Sequence, residues 1–458
     1  MLFAEAFSNR TLRSLPQGPA VSRILAAAVQ AVEPGEAVRR HLRCDGSRLV
    51  AAGTSYDLDA CRGVTLLGLG KASVAMAQAA LELFGSYVAG GLVIAKHLDE
   101  GITSKNVRRK EHGEIAFMEG GHPLPDGRSL EAGERAAALA ASLGPDDLLI
   151  CLISGGGSAL MTAPAAGVLL ADLQALTAAL LACGARIDEI NSLRRHLDRV
   201  KGGGLAKLAG GARILSLILS DVVGNPLEAI ASGPTAPDPS GKDEARAVLD
   251  RYGLAGKVPA SILPALESVP ETPKPGDALF DRVQNVLVGS NLLAAQAALR
   301  QAQEDGFHPY LLRTDQQGEA RDAAFELATF LRQARRSGRP VPAPACIVAG
   351  GETTVTLGPE HGRGGRNLEL ALAAVTELAD FPGVLLATLA TDGEDGPTDA
   401  AGAVVSGESY RRALGLGLNP ADYLERHDSY TFFAALDDLL KPGPTGTNVN
   451  DLTFLFAL

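Results

Sequence analysis

The segment Leu148–Leu160 has the sequence LLICLISGGGSAL, in which an apolar run stops at three glycines flanked by serines. An apolar run of this length, bounded by glycine, predicts a buried strand, a tight turn and the start of a helix. Glycines let backbone N–H groups approach a ligand closely, and a helix start adds partial positive charge. The loop therefore suits a phosphate or a carboxylate; the alternative is an ordinary strand-to-helix turn.

Short apolar runs alternate with helical segments along the rest of the chain. Such alternation predicts an α/β fold, with two three-layer α/β domains, mostly parallel sheets and a cleft between the domains. Prolines concentrate between Thr235 and Leu279, which is typical of a boundary. We therefore predict a Rossmann-like N-terminal domain over residues 1–240, a proline-rich linker over 241–280 and a C-terminal α/β domain over 281–458.

The net charge of the 458 residues is −11, which argues against nucleic acid as a partner. The five cysteines are scattered, so neither a disulfide framework nor a zinc site is expected, and a reducing cytoplasm fits best. Met1–Ser14 lacks the pattern of a secretory signal, and no apolar run is long enough for a membrane span. We expect a cytoplasmic protein that does not bind membranes and that forms a homo-oligomer as one possibility.

Five glycine- or acid-rich islands each follow a predicted strand, where functional loops usually lie. The islands are Gly68–Ser73, Ser154–Ser158, Ser220–Gly224 together with Ser232–Thr235, Gly350–Glu352, and Thr391–Asp399. Sites in α/β sheets lie at the carboxyl ends of strands. Five such islands are hard to explain as turn chemistry alone.

Cations and amides in these islands predict anion binding. Lys71 lies at a helix start, where the helix dipole disfavours a cation unless an anion is near. Arg366 and Asn367 occupy a similar place after Gly350-Gly351-Glu352, and Arg194, Asn191 and Lys201 share a helical stretch. Arg195 and Arg199 are expected on a solvated face, and His122, in a glycine turn before Pro123, could line the cleft.

Carboxylates follow two of the strands. Asp221 comes directly after Ile214–Leu219, and Asp392 and Asp395 follow Val384–Ala390. Such carboxylates could hold Mg²⁺ or accept a proton from an attacking hydroxyl. The alternative is that an aspartate beside glycine only stabilises a turn.

Several familiar motifs are missing. The chain has no Walker A loop and no protein-kinase signature. Gly68-Leu69-Gly70 begins like a dinucleotide fingerprint, but Ser73 stands at the position of the third glycine, so dinucleotide binding is weakly supported.

The chain resembles the class II glycerate 2-kinases, whose second domain is the MOFRL domain. The resemblance covers nearly the whole chain and rests on long motifs in one order. These motifs are GLGKAS (68–73), GGHPLPD (120–126), ISGGGSAL (153–160), INSLRRHLDRVKGG (190–203), LSDVVGNP (219–226), IASGPT (230–235), GGETTV (350–355), GRGGRN (362–367), ATDGEDGPTDAAGA (390–403) and GPTGTNVNDL (443–452). The chain departs from the family pattern at Asn225, Asp198 and Leu368, where an acid, a serine and a glutamine are expected.

The resemblance implies ATP-dependent phosphorylation of D-glycerate to 2-phosphoglycerate with Mg²⁺ or another divalent cation, in a cleft between the domains. It implies that Lys71 and Arg366 are catalytic, with Asp392 in the same cleft. We add Asp221 and Asp392 both as catalytic candidates and as candidate metal ligands. The expected binding residues are Ser154, Gly155, Gly156, Gly157, Ser158, Asn191, Arg194, Lys201, Glu352, Asn367 and Asp395.

Two other functions stay open at this point. One is an NAD(P)H-dependent hydroxypyruvate reductase of tartrate or glycerate metabolism, a label that some relatives carry. The other is a non-catalytic metabolite-binding protein, against which the density of acids and bases argues. Neither the carbon that is phosphorylated nor the range of hydroxy acids follows from the residues.

Overall fold

The computed structural model describes residues 3–98 and 114–458. The chain forms two compact units. We call residues 34–288 the central unit, and residues 1–33 together with 289–458 the terminal unit.

The strands are β1 (Leu42–Asp45), β2 (Arg48–Ala51), β3 (Thr54–Asp57), β4 (Gly63–Leu69), β5 (Val88–Ala95), β6 (Glu114–Glu119), β7 (Asp147–Ile153), β8 (Arg213–Leu219), β9 (Val283–Gly289), β10 (His308–Gln316), β11 (Ala345–Gly351), β12 (Val384–Ala390), β13 (Gly402–Ser406), β14 (Leu439–Leu440) and β15 (Asp451–Ala457). The helices are α1 (Arg10–Ser14), α2 (Gly18–Gln30), α3 (Pro34–His41), α4 (Ser73–Phe84), α5 (Gly127–Ala141), α6 (Gly157–Leu160), α7 (Leu170–Ala182), α8 (Ile187–His196), α9 (Gly204–Leu208), α10 (Lys242–Arg251), α11 (Ile262–Ser268), α12 (Asn291–Glu304), α13 (Ala320–Ser337), α14 (Arg366–Glu377), α15 (Ser409–Gly415), α16 (Pro420–Glu425) and α17 (Ser429–Leu436). Short 3₁₀ turns lie at Ala4–Phe7, Gly85–Tyr87, Ile230–Ser232 and Ala278–Arg282.

The central unit is built on a sheet with the strand order β6-β5-β4-β7-β8-β9. Every neighbouring pair from β6 to β8 is parallel. All residues of β7 are buried, as expected for a parallel strand covered on both faces. The carboxyl ends of β4 to β8 therefore lie along one edge of the sheet.

The terminal unit has a mixed sheet with the order β10-β11-β15-β12-β13-β14. β10 and β11 are parallel, whereas β15 is antiparallel to both of its neighbours, β11 and β12. The start of β15 consequently lies at the same edge as the ends of β11 and β12: Asp451 is paired with Gly351 and with Ala390.

The α/β prediction with two helix-covered sheets is confirmed, but several details differ. The apolar face of Leu12–Leu42 predicts one helical stretch, but this segment contains three separate helices, α1, α2 and α3. β1, β2 and β3 form a small antiparallel sheet that was not predicted. The residue pattern of Thr353–Leu357 predicts a strand, and this prediction is wrong, since only Thr354 forms a bridge there, with Glu319.

The compact units also differ from the predicted domain boundaries. Residues 1–33 belong with the C-terminal part of the chain, because α2 packs against α12. The proline-rich segment 241–280 belongs to the central unit, not to a linker. Its helices α10 and α11 bury Leu249 and Ile262 in a core shared with α7 and α8, so apolar burial outweighs the boundary signal of the prolines.

Candidate active site

The structure brings together the polar loops that follow five neighbouring strands of the central unit. We call Lys71, Lys96, His122, the loop Ser154–Ser158 and Asp221 the Lys71 cluster. They follow β4, β5, β6, β7 and β8 in turn. Parallel strands end at one edge, so the sheet itself collects these side chains.

The glycine loop presents unused backbone donors. The N–H groups of Gly155, Gly156, Gly157 and Ser158 donate no hydrogen bond within residues 3–98 and 114–458. Gly156 has a φ of +83°, which favours glycine. The following helix α6 is a single turn, so these donors, rather than a long helix dipole, make the loop suitable for an anion.

Lys71 lies beside this loop. Its backbone N–H donates to the Gly155 carbonyl at 3.0 Å, and the next residue, Ala72, donates to Ser154 Oγ at 3.0 Å. The Lys71 side chain is exposed and forms no ion pair with an acidic residue in the described part of the chain. The loop and the lysine backbone are thus fixed together, and among the described residues no acid pairs with the ammonium.

Asp221 lies against the glycine loop on the side of Gly155. A Cβ built on Gly155 would lie 1.9 Å from Asp221 Oδ2. Only glycine at this position permits the carboxylate to come so close to the loop backbone. The Asp221 carboxylate is therefore adjacent to the same donors that would face a bound anion.

Arg194 and Lys201 lie in one cavity wall near the loop, together with Ser158. Lys201 is buried and bonds to Asp198 Oδ2 at 2.5 Å and to the Met161 carbonyl at 3.1 Å. Burial lowers the pKa of Lys201, and Asp198 opposes that effect. Its charge already has a partner, which favours a structural role over the predicted ligand contact.

Arg194 has no such partner. Its only hydrogen bond within the described residues is to Asn191 Oδ1, at 3.4 Å. Burial lowers the pKa of the Arg194 guanidinium, and no carboxylate among the described residues pairs with it. Arg194 is thus the cation of this helix that suits an anionic ligand, and Asn191 is buried beside it.

Of the two neighbouring arginines predicted on a solvated face, Arg199 is exposed and Arg195 is not. Arg199 is exposed and pairs with Glu134. Arg195, expected on a solvated face, is buried and pairs with the fully buried Asp238 at 2.8 Å. Arg195 is buried because the segment that carries Asp238 covers this face of α8. Sequence periodicity does not reveal that contact.

A second cluster lies in the terminal unit. We call Arg366, Glu352, Asp451, Asn367 and Asp395 the Arg366 cluster. Arg366 begins α14 and bonds to Asp451 Oδ2 at 2.5 Å through Nε and to Glu352 Oε1 at 2.6 Å through Nη1. In contrast to Lys71, this cation is flanked by two carboxylates.

Asp395 holds the start of α14. Its carboxylate accepts hydrogen bonds from the backbone N–H groups of Asn367 at 3.0 Å and Leu368 at 2.8 Å. It also accepts one from the Asn367 side chain at 3.2 Å. Asp395 and Asn367 are both buried, so their observed contacts fix the helix turn that carries Arg366.

The titration of these groups is perturbed. Burial raises the pKa of Asp451 to about 7, against the opposing effect of Arg366. Burial also raises the pKa of Asp395 to about 6, although the N–H donors of Leu368 and Asn367 lower it. Burial disfavours the charge on Arg366, but Asp451 and Glu352 outweigh it and raise the pKa of the guanidinium.

Asp392 lies in the same loop as Asp395, after β12. Its carboxylate accepts from the Glu394 N–H at 3.2 Å, and its carbonyl accepts from the Thr445 N–H at 3.1 Å. The side chain is half-buried. Asp392 therefore lies at the edge of the sheet where β11 and β12 end and β15 begins.

The predicted residues thus fall into two groups, one in each compact unit. Sequence reasoning did not single out Asp451, because the search for site residues followed the ends of predicted strands and Asp451 begins a strand. The signal that could have found it is the motif NVND directly before the last apolar run.

Among residues 3–98 and 114–458, no group of three or more histidine, cysteine, aspartate or glutamate side chains could hold a metal ion. Asp221 and Asp392 each offer a single carboxylate. Mg²⁺ is often bound by one or two carboxylates together with substrate phosphates and waters, so these donors fit that mode. In the same described part of the chain, no helix is both long and apolar enough to cross a membrane.

Comparisons with known proteins agree with this architecture. Residues 20–267 match the family described as a domain of unknown function, DUF4147, and residues 345–451 match the MOFRL family. A glycerate 2-kinase from Pyrococcus horikoshii is 38% identical, over 94% of this chain and 95% of that protein. A putative hydroxypyruvate reductase from Agrobacterium vitis is 41% identical, over 84% of this chain and 85% of that protein.

A solved structure shares the fold. The crystal structure of a glycerate kinase from Thermotoga maritima aligns with a TM-score of 0.83 and 36% identity, covering 95% of this chain and 98% of that chain. Identity at this level over nearly the full length of both chains shows common ancestry. The chain belongs to the class II glycerate 2-kinase family, which combines DUF4147 and MOFRL domains.

Proposed function

We propose that this protein transfers a phosphoryl group from ATP to D-glycerate and forms 2-phosphoglycerate. The observation that carries the proposal is the glycine loop Ser154–Ser158 beside Lys71, in which four N–H groups have no acceptor among residues 3–98 and 114–458. Phosphoryl transfer needs positioning and charge neutralisation more than covalent chemistry. The names of the relatives from Pyrococcus and Thermotoga support the same activity.

In this proposal the Lys71 cluster receives the negatively charged groups. The loop N–H groups cradle an anion, either the nucleotide phosphates or the glycerate carboxylate. Lys71 neutralises charge on the transferring phosphoryl group. Arg194, whose charge has no carboxylate partner in the described part of the chain, holds remaining negative charge.

The Arg366 cluster acts on the same reaction. Asp451 and Glu352 orient the guanidinium of Arg366, while Asp395 fixes the helix turn below it. A donor that is already oriented stabilises developing charge without reorganisation. Because Lys71 and Arg366 belong to different compact units, we expect turnover to depend on both units in one chain.

Asp221 and Asp392 are alternative candidate ligands for a divalent cation. When bound, Mg²⁺ neutralises phosphate oxygens and helps to orient them. The closeness of Asp221 to Gly155 favours Asp221 as the carboxylate that acts beside the anion-binding loop.

The test is an assay of the purified protein with ATP, MgCl₂ and D-glycerate, in which ADP formation is followed and the product is identified by ³¹P NMR. The proposal predicts turnover that requires D-glycerate and gives the 2-phosphate. Absence of phosphorylated glycerate, or formation of the 3-phosphate, contradicts it.

A second candidate is NAD(P)H-dependent reduction of hydroxypyruvate, because the Agrobacterium relative carries that name. In the loop after β4, Ser73 donates to the carbonyls of Gly70 at 2.8 Å and Ile94 at 2.9 Å. That hydroxyl is therefore occupied where a dinucleotide fingerprint has its third glycine. Loss of nicotinamide absorbance with hydroxypyruvate, without ATP-dependent turnover, would favour the reductase.

A further inference from the structure

His122 faces the same point of the glycine loop as Lys71. A Cβ built on Gly156 would lie 3.2 Å from His122 Cδ2, 3.3 Å from His122 Nε2 and 3.4 Å from Lys71 Cε. The imidazole and the lysine side chain therefore flank the middle glycine of the loop, where no side chain separates them. A reacting group placed over Gly156 would be within reach of both.

The loop that carries His122 is held firmly. The N–H of Gly121 donates to Asp126 Oδ1 at 3.1 Å and to Ser129 Oγ at 2.9 Å. Asp126 also caps α5 by accepting from the backbone N–H groups of Arg128 and Ser129. This capping box ties the loop to a helix of fifteen residues, which limits the positions that the imidazole can take.

The ring nitrogens of His122 are unused. They form no hydrogen bond within residues 3–98 and 114–458, although the side chain is half-buried. His196 is the contrasting case: its Nδ1 lies 2.8 Å from the Ser192 carbonyl and its Nε2 lies 2.9 Å from Glu271 Oε1. His196 is thus fixed in structure, whereas His122 has both nitrogens available.

The surroundings of His122 favour the neutral form of its ring. Burial lowers the pKa of His122, and the positive charges of Lys71 and Lys96 lower it further. These two lysines follow the neighbouring strands β4 and β5, and Asp221 approaches the loop at the adjacent residue, Gly155. A neutral imidazole with a free nitrogen can accept a proton.

We propose that His122 is the general base that deprotonates the glycerate hydroxyl as it attacks ATP. This inference rests on the proposed function. The hydroxyl proton passes to a ring nitrogen of His122, and the hydroxyl oxygen forms a bond to the γ-phosphorus. The bond from that phosphorus to its bridging oxygen breaks, ADP leaves with the electron pair, and the imidazolium then releases its proton to solvent.

The first test is kinetic. General-base catalysis contributes roughly 10²–10⁴-fold to rate, so His122→Gln should lower kcat by about that factor, with KM for D-glycerate changed only a few-fold. The acid limb of the wild-type kcat–pH profile should be absent from His122→Gln. The acid limb should persist in Asp221→Asn, whatever the remaining rate of that variant. The matched control is His308→Gln, at an exposed histidine, which should keep both the acid limb and wild-type turnover.

The remaining tests do not depend on that one variant. In His122→Ala, added imidazole should restore part of the turnover. In the wild-type protein without nucleotide, NMR titration should give His122 a pKa below the usual histidine value, and Lys71→Met should raise that pKa. A wild-type profile with no acid limb, an acid limb retained in His122→Gln, or a change in KM alone would overturn the assignment.

Failure of this inference is distinguishable from failure of the proposed function. If the wild-type protein does not phosphorylate glycerate, the proposed function itself fails. If it does, but His122→Gln retains kcat within threefold of the wild type, the kinase proposal stands and His122 is not the base.

Discussion

The Lys71 cluster and the Arg366 cluster are alike in position and opposite in charge balance. Each lies at the edge of a sheet, beside glycines and a helix start. Lys71 is exposed and has no acidic partner in the described part of the chain, whereas Arg366 is held between Asp451 and Glu352. A cation without a counter-charge is suited to attract an anion, and a cation already held by carboxylates is suited to keep one orientation.

This difference separates binding from orientation. On the proposed function, the Lys71 ammonium, which has no acidic partner among the described residues, would lower the free energy of a bound phosphate or carboxylate. In the Arg366 cluster, the guanidinium is paired with the buried carboxylate of Asp451 and the partly exposed carboxylate of Glu352. Removal of the guanidinium would therefore leave the buried Asp451 carboxylate without its donor, which destabilises the folded state. The substitutions below test the contrast, from the largest expected effect to the smallest.

Lys71→Ala should lower kcat/KM for the phosphorylation of D-glycerate by about 10³-fold, because it removes a cation that neutralises the transferring group. The melting temperature should remain within a few degrees, since the side chain is exposed. Steady-state kinetics and thermal unfolding measure the two effects. Lys207→Ala, at another exposed lysine of the central unit, is the control and should behave like the wild type; near-normal turnover of Lys71→Ala would remove Lys71 from the site.

Arg366→Ala should lower kcat/KM by about 10²–10³-fold and should also lower the free energy of unfolding. It leaves Asp451 and Glu352 without their donor, which costs about 1–3 kcal/mol for a buried acceptor. Chemical denaturation compared with that of Lys71→Ala checks the contrast. Equal free energies of unfolding for Lys71→Ala and Arg366→Ala would contradict the view that only Arg366 is held by carboxylate partners that stabilise the fold.

Gly155→Ala should reduce both turnover and stability, because the new methyl group would lie 1.9 Å from Asp221 Oδ2. Overpacking of this kind lowers the free energy of unfolding by roughly 1–3 kcal/mol. Displacement of the loop N–H groups should also reduce kcat/KM at least tenfold, because catalysis is sensitive to small shifts of the groups that position the substrate. Gly144→Ala, where an added Cβ meets nothing within 4 Å, is the matched control. A fully active Gly155→Ala protein would argue against the close approach of Asp221.

Asp395→Asn should change the pH dependence of stability. Burial raises the pKa of Asp395 to about 6, above its value in an unfolded chain, so the folded state binds the proton more tightly. Its contribution is fully present at low pH and is lost as pH rises through about 6. Relative to the wild type, the free energy of unfolding of Asp395→Asn should therefore be higher at pH 8 than at pH 4, by about 1–3 kcal/mol.

The matched control for that measurement is Asp399→Asn. The hydrogen bond from Tyr430 lowers the pKa of Asp399, and its side chain is 62% exposed. The substitution should give a small pH dependence of the opposite sign. Parallel pH profiles of the two variants would contradict the perturbed titration of Asp395.

The sequence was sufficient for the parts of the fold that depend on local pattern. Apolar runs ended by glycine, such as Leu148–Ile153 and Val384–Ala390, are strands, and the loops after them gather at one edge of each sheet. The strand order and direction depend on contacts distant in sequence. Local periodicity therefore missed that β15 is antiparallel, and with it the place of Asp451.

Burial of charged groups was equally hard to predict. Lys201 and Arg195 occur in the same basic stretch as Arg194, but Asp198 and Asp238 neutralise them within the protein. Those partners follow from packing of α8 and its neighbours, not from helical spacing. The association of residues 1–33 with the C-terminal part of the chain has the same origin, because it depends on the packing of α2 against α12.

The most direct test of the central claim, that Lys71 and Arg366 act on one phosphoryl transfer, is a double-mutant cycle of Lys71→Ala and Arg366→Ala. The cycle is measured as kcat/KM for the ATP-dependent phosphorylation of D-glycerate. If both cations stabilise the same transition state, the double variant should lose far less than the product of the two single losses. Losses that multiply fully would show that the two cations act independently and would contradict the account.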